Sequence, residues 1–168
     1  FQGDIYQGLR ADTYSAGDVA FADLHLRILS GLYGMLRPSD LIDPYRLEIG
    51  YGFPVNVYKF WGKALAAQCN ANIVINLASV EYAKAVVPYL TASVRVIEPR
   101  FFVQYPGEQP KFAAYHAKIA RGAFASWLVK GKKTQAENLE QFTELGYVYS
   151  MSLSKPNRPA FVLQTVKK

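Results

Sequence analysis

Three acidic residues, Asp40, Asp43 and Glu48, lie close together in the first third of the chain. Carboxylate oxygens are the ligands that Mg²⁺ prefers, and metal-dependent nucleases use groups of them to activate water. These residues are therefore candidates for a DNA-repair hydrolase, either a nuclease or a glycosylase. Asp40 and Asp43 equally suit the caps of turns, because their short side chains bond to nearby backbone N–H groups. Both interpretations stay open at the level of the sequence.

Residues that bind transition metals are few and far apart. The chain has two histidines, His25 and His116, and one cysteine, Cys69. None of the close spacings found in zinc or iron–sulfur sites is present. The sequence also lacks a Walker loop, a nucleophile elbow and a His-Glu-x-x-His motif. We therefore predict no metal site, no cofactor and no catalytic residue, and a non-enzymatic protein is favoured over an enzyme.

A turn bracketed by two glycines is a candidate phosphate site, and it consists of Ser30, Gly31, Leu32, Tyr33 and Gly34. Apolar residues from Phe21 to Leu32 recur at intervals of three and four, which predicts a helix before this turn. A short second helix is predicted from Pro38 to Ile42, since proline suits the first helical position. This is the outline of a helix-hairpin-helix, whose backbone N–H groups can hold a nucleic-acid phosphate. An ordinary turn between two packed helices explains the same residues.

The positive charge of the chain is concentrated after residue 94. Residues 1–94 contain seven Lys and Arg against eight Asp and Glu, whereas residues 95–168 contain twelve against five. This one-sided excess favours an anionic partner, and duplex DNA more than a membrane surface. A basic surface that keeps the protein soluble is the alternative. The candidate phosphate contacts outside the turn are Arg37, Arg46, Lys84, Lys118, Arg121, Lys132 and Lys133.

One of these cations, Lys84, is positioned by a strand and the helix that follows it. The run Asn72–Leu77 is apolar enough to predict a central strand, and a helix is predicted from Val80 to Leu90. Ser79 suits the N-cap of that helix. Anions bind at such strand–turn–helix junctions in many α/β proteins. Lys84 is therefore either a phosphate contact or an exposed surface residue.

The densest group of cations belongs to a helix predicted from His116 to Val129. Lys118 and Arg121 lie on this helix, and Lys132 and Lys133 follow its end. Cations near the end of a helix are favoured by its dipole, so part of this group has a purely structural explanation.

The complete set of elements predicts a mixed α/β fold of the α+β class. We expect a central mixed sheet with flanking helices, the helix-hairpin-helix-like element and a C-terminal β-hairpin formed by Tyr147–Leu153 and Pro159–Val166. A short strand or a turn is predicted within Phe1–Leu9, and a hairpin is predicted to join Phe101–Val103 to Phe112–Tyr115.

Length and composition predict a single domain over residues 1–168. No apolar run approaches the ~20 residues of a membrane-spanning helix, and no signal peptide is visible, so no membrane contact is expected. The lone cysteine excludes a disulfide framework, and a cytoplasmic location is expected. The chain opens at Phe1-Gln2-Gly3-Asp4 without an initiator Met, which favours a fragment or a shortened relative.

Several blocks of the sequence resemble the YaaA peroxide-stress family, and they follow one another across nearly the whole chain. The longest and most specific is LRILSGLYGMLRP, from Leu26 to Pro38. The other blocks are Phe1–Leu9, Pro44–Glu48, Phe60–Gly62, Val74–Tyr82, Lys118–Gly122 and Gly146–Tyr149.

The resemblance implies a cytoplasmic bacterial protein that helps cells survive hydrogen peroxide by limiting unincorporated iron. It also implies a mixed α/β fold that binds duplex DNA in a basic cleft. In that case the helix-hairpin-helix corresponds to Ser30–Gly34, with Arg37 and Arg46 as neighbouring phosphate contacts.

The chain departs from the family pattern in two ways. An N-terminal portion of the family's members, which includes a strand, is absent, and its loss would favour a homo-oligomer that covers the exposed sheet edge. In addition, two residues separate the glycines of the turn where a common helix-hairpin-helix has one, and Pro38 lacks an N–H donor.

Overall fold

A computed structural model describes residues 1–52 and 54–165, and it confirms the α+β class. Its helices are α1 (Asp4–Leu9), α2 (Ala16–His25), α3 (Val57–Trp61), α4 (Ala64–Ala67), α5 (Val80–Ala83) and α6 (Ala114–Lys130). Its strands are β1 (Ile28–Ser30), β2 (Gly34–Leu36), β3 (Ile73–Ile75), β4 (Arg95–Ile97), β5 (Arg100–Gln104), β6 (Tyr147–Tyr149) and β7 (Ala160–Gln164). Short 3₁₀ helices occupy Ala11–Thr13, Val87–Tyr89, Leu139–Gln141 and Glu144–Gly146.

The strands are divided among three small sheets, where the sequence predicted one central sheet. Strands β1 and β2 are antiparallel, β3 and β4 are parallel, and β7 lies between β5 and β6. Strand β7 is parallel to β5 and antiparallel to β6, so the predicted C-terminal hairpin is confirmed. Pro99 separates β4 from β5 and has no N–H to donate to a ladder, which fits a change of sheet at this point.

The predicted hairpin between Phe101–Val103 and Phe112–Tyr115 is wrong. Only a single antiparallel bridge joins Val103 to Lys111, and α6 already begins at Ala114. Strand β5 pairs instead with β7, which is distant in the sequence. This parallel pairing leaves no local pattern, because its two strands are not joined by a short turn.

The short strand or turn predicted within Phe1–Leu9 is also wrong, since Asp4–Leu9 forms α1, which packs closely on α6. A Cβ atom at Gly8 would lie 2.0 Å from the carbonyl oxygen of Ile119, and one at Gly122 would lie 1.8 Å from that of Ile5. The two glycines therefore allow the two helix backbones to touch. Glycine normally weakens a helix, so the sequence favoured an extended segment where packing requires a helix.

The predicted helix-hairpin-helix is replaced by a β-hairpin. Helix α2 begins with Ser15 as its N-cap, but it ends at His25. Strands β1 and β2 then pair in a register that sets Ile28 opposite Leu36 and Ser30 opposite Gly34. Residues 38–42 form no helix. The apolar residues of this segment pack under α3 and α4 as a hairpin, and this tertiary contact overrides their helical spacing.

Two hydrophobic clusters hold these elements together. One contains aromatic residues of β5, α6 and β7, among them Phe101, Phe124 and Phe161. The other lies under the hairpin and includes Ile49 and Leu65. Within the described residues no helix is long and apolar enough to cross a membrane.

Candidate anion-binding groove

The turn predicted as a phosphate site uses its strongest polar groups within the fold. Ser30 is fully buried, and its Oγ lies 2.5 Å from the hydroxyl oxygen of Tyr45. The same Oγ accepts the backbone N–H of Tyr33 at 2.9 Å. The indole N–H of Trp61 donates to the carbonyl oxygen of Gly31 at 2.8 Å. Buried polar groups need such partners, so these bonds give the turn a structural role.

The two glycines of the turn are required by packing. A Cβ atom at Gly31 would lie 2.4 Å from the carbonyl oxygen of Leu47. Gly34 has a φ of +78°, and a Cβ atom there would lie 2.8 Å from the ring of Trp61. Leu32 is the residue that this turn exposes to solvent. Phosphate binding by the turn stays a prediction, and its glycines have an explanation that involves no ligand.

The three carboxylates near the hairpin do not share a common partner. Asp40 accepts the backbone N–H of Arg37 at 2.8 Å, and Glu48 accepts the hydroxyl of Tyr82 at 3.2 Å. Asp43 is exposed. In the part of the chain that the structure describes, no group of three or more His, Cys, Asp or Glu could hold a metal ion. The contacts therefore do not favour the hydrolase alternative.

Three of the predicted cations on and after α6 have partners in the fold. Lys118 lies 3.4 Å from the carboxylate of Asp4, on the side of α6 that faces α1. Lys132 forms an ion pair with Asp18, and hydrogen bonds from Lys132 and Ser15 lower the pKa of Asp18 to about 2. The ammonium of Lys133 lies 4.3 Å from the ring centre of Trp127, where a cation–π contact is favourable. Lys118 and Lys132 therefore join the α6 region to α1 and α2, whereas Lys133 folds back onto α6 itself.

A groove of about 330 Å³ collects cations from four separate parts of the chain. Its basic residues are Lys84, Arg100, Arg121 and Arg158, and Glu98 is its one acidic residue. Apolar residues such as Val80, Val87 and Pro99 form much of the remaining wall. Charges of one sign between low-dielectric walls focus the electric field and attract counter-ions. The described lining of the groove therefore carries an excess of positive charge, which would favour an anion.

Arg121 is the half-buried cation of this groove, and it projects from the middle of α6. Burial and the neighbouring charge of Arg100 lower the pKa of Arg121. A guanidinium nevertheless remains protonated in proteins, so the two positive charges stay beside each other. No described acidic residue forms an ion pair with either of them. This arrangement is unfavourable in the empty groove and would be relieved by a bound anion.

Two residues before Arg100, Glu98 forms an ion pair of 2.9 Å with Arg158. The side chain of Asn76 donates to Glu98 at 3.4 Å, which is a weak hydrogen bond. More than half of the Arg158 side chain is exposed, at 55%. Exposed pairs of this kind contribute only about 0–1 kcal/mol. Arg158 can therefore leave Glu98 for a ligand at little cost.

The groove is positioned by local features of the chain. The Oγ of Ser79 accepts the N–H of Tyr82 and begins α5, as predicted. On the other wall, the backbone N–H of Glu98 donates to the carbonyl oxygen of Asn157, and that of Arg100 donates to Pro159. These bonds continue the parallel register of β5 and β7 and place residue 98 opposite residue 158.

Of the residues predicted to bind phosphate, the groove brings together Lys84 and Arg121. Arg37 and Arg46 are exposed beside the hairpin and do not line it. The sequence analysis missed Arg100 and Arg158, because they meet only through the parallel pairing of β5 with β7. Their position directly before predicted strands was the only available signal.

Comparisons with known proteins match this chain to one family. The family model described as peroxide stress protein YaaA matches residues 1–153. A UPF0246 protein of Salinispora tropica is 48% identical over 98% of this chain and 64% of its own length. UPF0246 proteins of Cellvibrio japonicus and Roseobacter denitrificans are each 42% identical over 96% of the chain, and 66% and 67% of their own lengths are covered. The chain thus spans about two thirds of the length of these relatives.

Proposed function

Because the chain belongs to the family of peroxide stress protein YaaA, we propose that it binds the phosphate backbone of duplex DNA without sequence preference. The principal contacts come from the four cations of the groove, and Arg37 and Arg46 extend them beside the hairpin. The proposal concerns the part of the family's length that this chain contains.

The observation that supports this proposal most strongly is the uncompensated pair of Arg100 and Arg121. Guanidinium groups match phosphate oxygens with two parallel hydrogen bonds and hold a fixed charge at every physiological pH. Lys84 adds a third cation beside the pair. Contacts of this kind go to phosphates and carry no information on the base sequence. A protein that uses them binds DNA of any sequence.

DNA binding also offers a connection to peroxide stress. Divalent cations, Fe²⁺ among them, are held along the backbone of duplex DNA as counter-ions. A protein that neutralises phosphates releases such ions from the DNA that it covers. The wider prediction, that the protein limits unincorporated iron, stays a prediction. The described residues contain no group of ligands for direct iron binding.

A salt titration tests the proposed function. A fluorescent duplex is titrated with the protein, and anisotropy gives the affinity at several salt concentrations. If about four phosphates are neutralised, the logarithm of the affinity should fall with the logarithm of salt with a slope near −3.6. The double variant Arg100→Ala/Arg121→Ala should lose about half of that slope and about tenfold or more in affinity at low salt.

The matched control is Lys111→Gln, which removes an exposed positive charge at the other end of β5 and outside the groove. It should keep the slope of the unmodified protein, because Lys111 does not face the bound phosphates. Absence of binding by the unmodified protein at low salt would contradict the proposed function. The control removes one charge and the double variant removes two. A control loss of half the double variant's loss in log affinity would therefore assign the binding to net charge alone.

A further inference from the structure

We propose that Arg100 and Arg121 form a clamp for the terminal phosphate monoester of a DNA strand, as found at a gap or a break, in preference to an internal phosphodiester. This inference rests on the proposed function and names the class of DNA that the groove recognises. The two arginines lie at different depths in the groove, since Arg100 is exposed and Arg121 is half-buried.

The recess favours a group that projects from the DNA. An internal phosphate is joined to a sugar on both sides and stays on the smooth outer surface of the duplex. A terminal phosphate is joined on one side only, so it can enter the groove as far as the guanidinium of Arg121. In this wall Pro99 is buried and Val87 is partly buried, so part of the lining has a low dielectric constant. Electrostatic attraction is stronger in such surroundings than at an open surface.

The charge of the groove also fits a monoester. A phosphate monoester carries about −1.5 to −2 charges at pH 7, whereas an internal phosphodiester carries one. The groove has four cations against the single carboxylate of Glu98. Arg158 is held by Glu98, so the excess charge lies at Arg100, Arg121 and Lys84. A dianion can accept two parallel hydrogen bonds from a guanidinium group, and both Arg100 and Arg121 line the groove.

The wall that carries Arg158 is held by hydrogen bonds within the chain. The Nε of Arg95 donates to the side chain of Asn157 at 2.7 Å, and Asn157 has a φ of +57°. Backbone hydrogen bonds in both directions join Lys155 to Arg158. These bonds position the loop that places Arg158 beside Glu98.

The test uses DNA whose two ends are closed by hairpin loops, so that the only strand ends lie at a one-nucleotide gap. Three versions carry a 5′-phosphate, a 3′-phosphate or hydroxyls only, and a fourth has no gap. Anisotropy competition at fixed ionic strength should show about tenfold tighter binding to one or both phosphate-bearing gaps than to the hydroxyl gap. Inorganic phosphate should displace the gapped DNA better than chloride at equal ionic strength.

The variants Arg121→Lys and Arg100→Ala should remove this preference, so that each binds the phosphate gaps no more tightly than the hydroxyl gap, whatever its affinity for the ungapped DNA. Arg121→Lys preserves the charge and loses the forked geometry, and Arg100 is exposed, so both variants should fold. Lys118→Gln, one turn earlier on α6 and paired with Asp4, should keep the preference. Equal affinity for phosphate and hydroxyl gaps overturns the inference while ungapped binding upholds the proposed function. Absence of binding to all four DNAs overturns both.

Discussion

The hairpin turn at residues 30–34 and the groove around Arg121 differ in how far the fold itself uses their polar groups. In the turn, Ser30 is buried and bonded to Tyr33 and Tyr45. In the groove, Arg100 and Arg121 lie beside each other without an acidic partner among the described residues. A satisfied polar group contributes to the fold, whereas a partly desolvated charge without a partner points to a ligand.

The two regions also belong to different hydrophobic clusters. The hairpin lies over the cluster that contains Leu65, and Arg121 projects from the helix whose Phe124 belongs to the other cluster. Helix α5 connects them, because Tyr82 packs against the hairpin cluster while Ala83 lines the groove. Mutations can therefore separate the two roles, with stability affected in the first region and ligand binding in the second.

The largest expected effect is on stability, from Gly34→Ala. Its φ of +78° is unfavourable for any residue with a Cβ atom, and that atom would lie 2.8 Å from the ring of Trp61. Strain and overpacking together should lower the free energy of unfolding by about 2–4 kcal/mol. Urea denaturation measures this change, and the DNA affinity of the folded fraction should stay the same.

The control for that experiment is Gly107→Ala. Gly107 has nearly the same φ, +75°, but a Cβ atom at this position would have no other atom within 4 Å. The variant should therefore show the backbone cost alone, about 1–2 kcal/mol. Similar losses for both variants would show that Trp61 does not pack tightly on the turn. A specific loss of DNA binding in Gly34→Ala would show that the turn contacts DNA.

A smaller effect on stability, with a different sign, is expected in the groove. Replacing Arg121 by Met keeps most of the apolar stem and removes the charge that faces Arg100. Because Arg121 has no ion pair among the described residues, the free energy of unfolding should stay the same or rise by up to about 1 kcal/mol. Urea denaturation and DNA affinity are measured on the same sample. A clear loss of stability would mean that Arg121 serves the fold, which would weaken the comparison.

Local signals in the sequence were sufficient for some elements and not for others. The caps at Ser15 and Ser79 and the long helix that carries Arg121 follow from neighbouring residues, and each is present. The β-hairpin at 28–36 depends on Trp61 and Leu65, which cover it from a distant segment. A helical spacing of apolar residues cannot reveal that contact.

The same limit applies to the groove. Lys84 and Arg121 were predicted as phosphate contacts because each lies on an element with its own local signature. Arg100 and Arg158 are brought to them by the parallel register of β5 and β7, which joins segments about sixty residues apart. Long-range pairing of this kind is specified by the whole fold. For that reason the cation pair that carries the proposed function could not be recognised from spacing alone.

The smallest expected effect concerns Lys132, a predicted phosphate contact that pairs with Asp18 in the fold. The pKa of Asp18 is lowered to about 2, below its unfolded value, so the pair stabilises the protein above about pH 4 and loses this contribution as the pH falls toward 2. Asp18→Asn should therefore show a smaller decrease in thermal stability between these pH values than the unmodified protein. Asp12→Asn, an exposed acid without an ion pair among the described residues, should keep the original pH dependence. If Asp18→Asn also kept it, the pair would have no structural role, and Lys132 would return to the candidate DNA contacts.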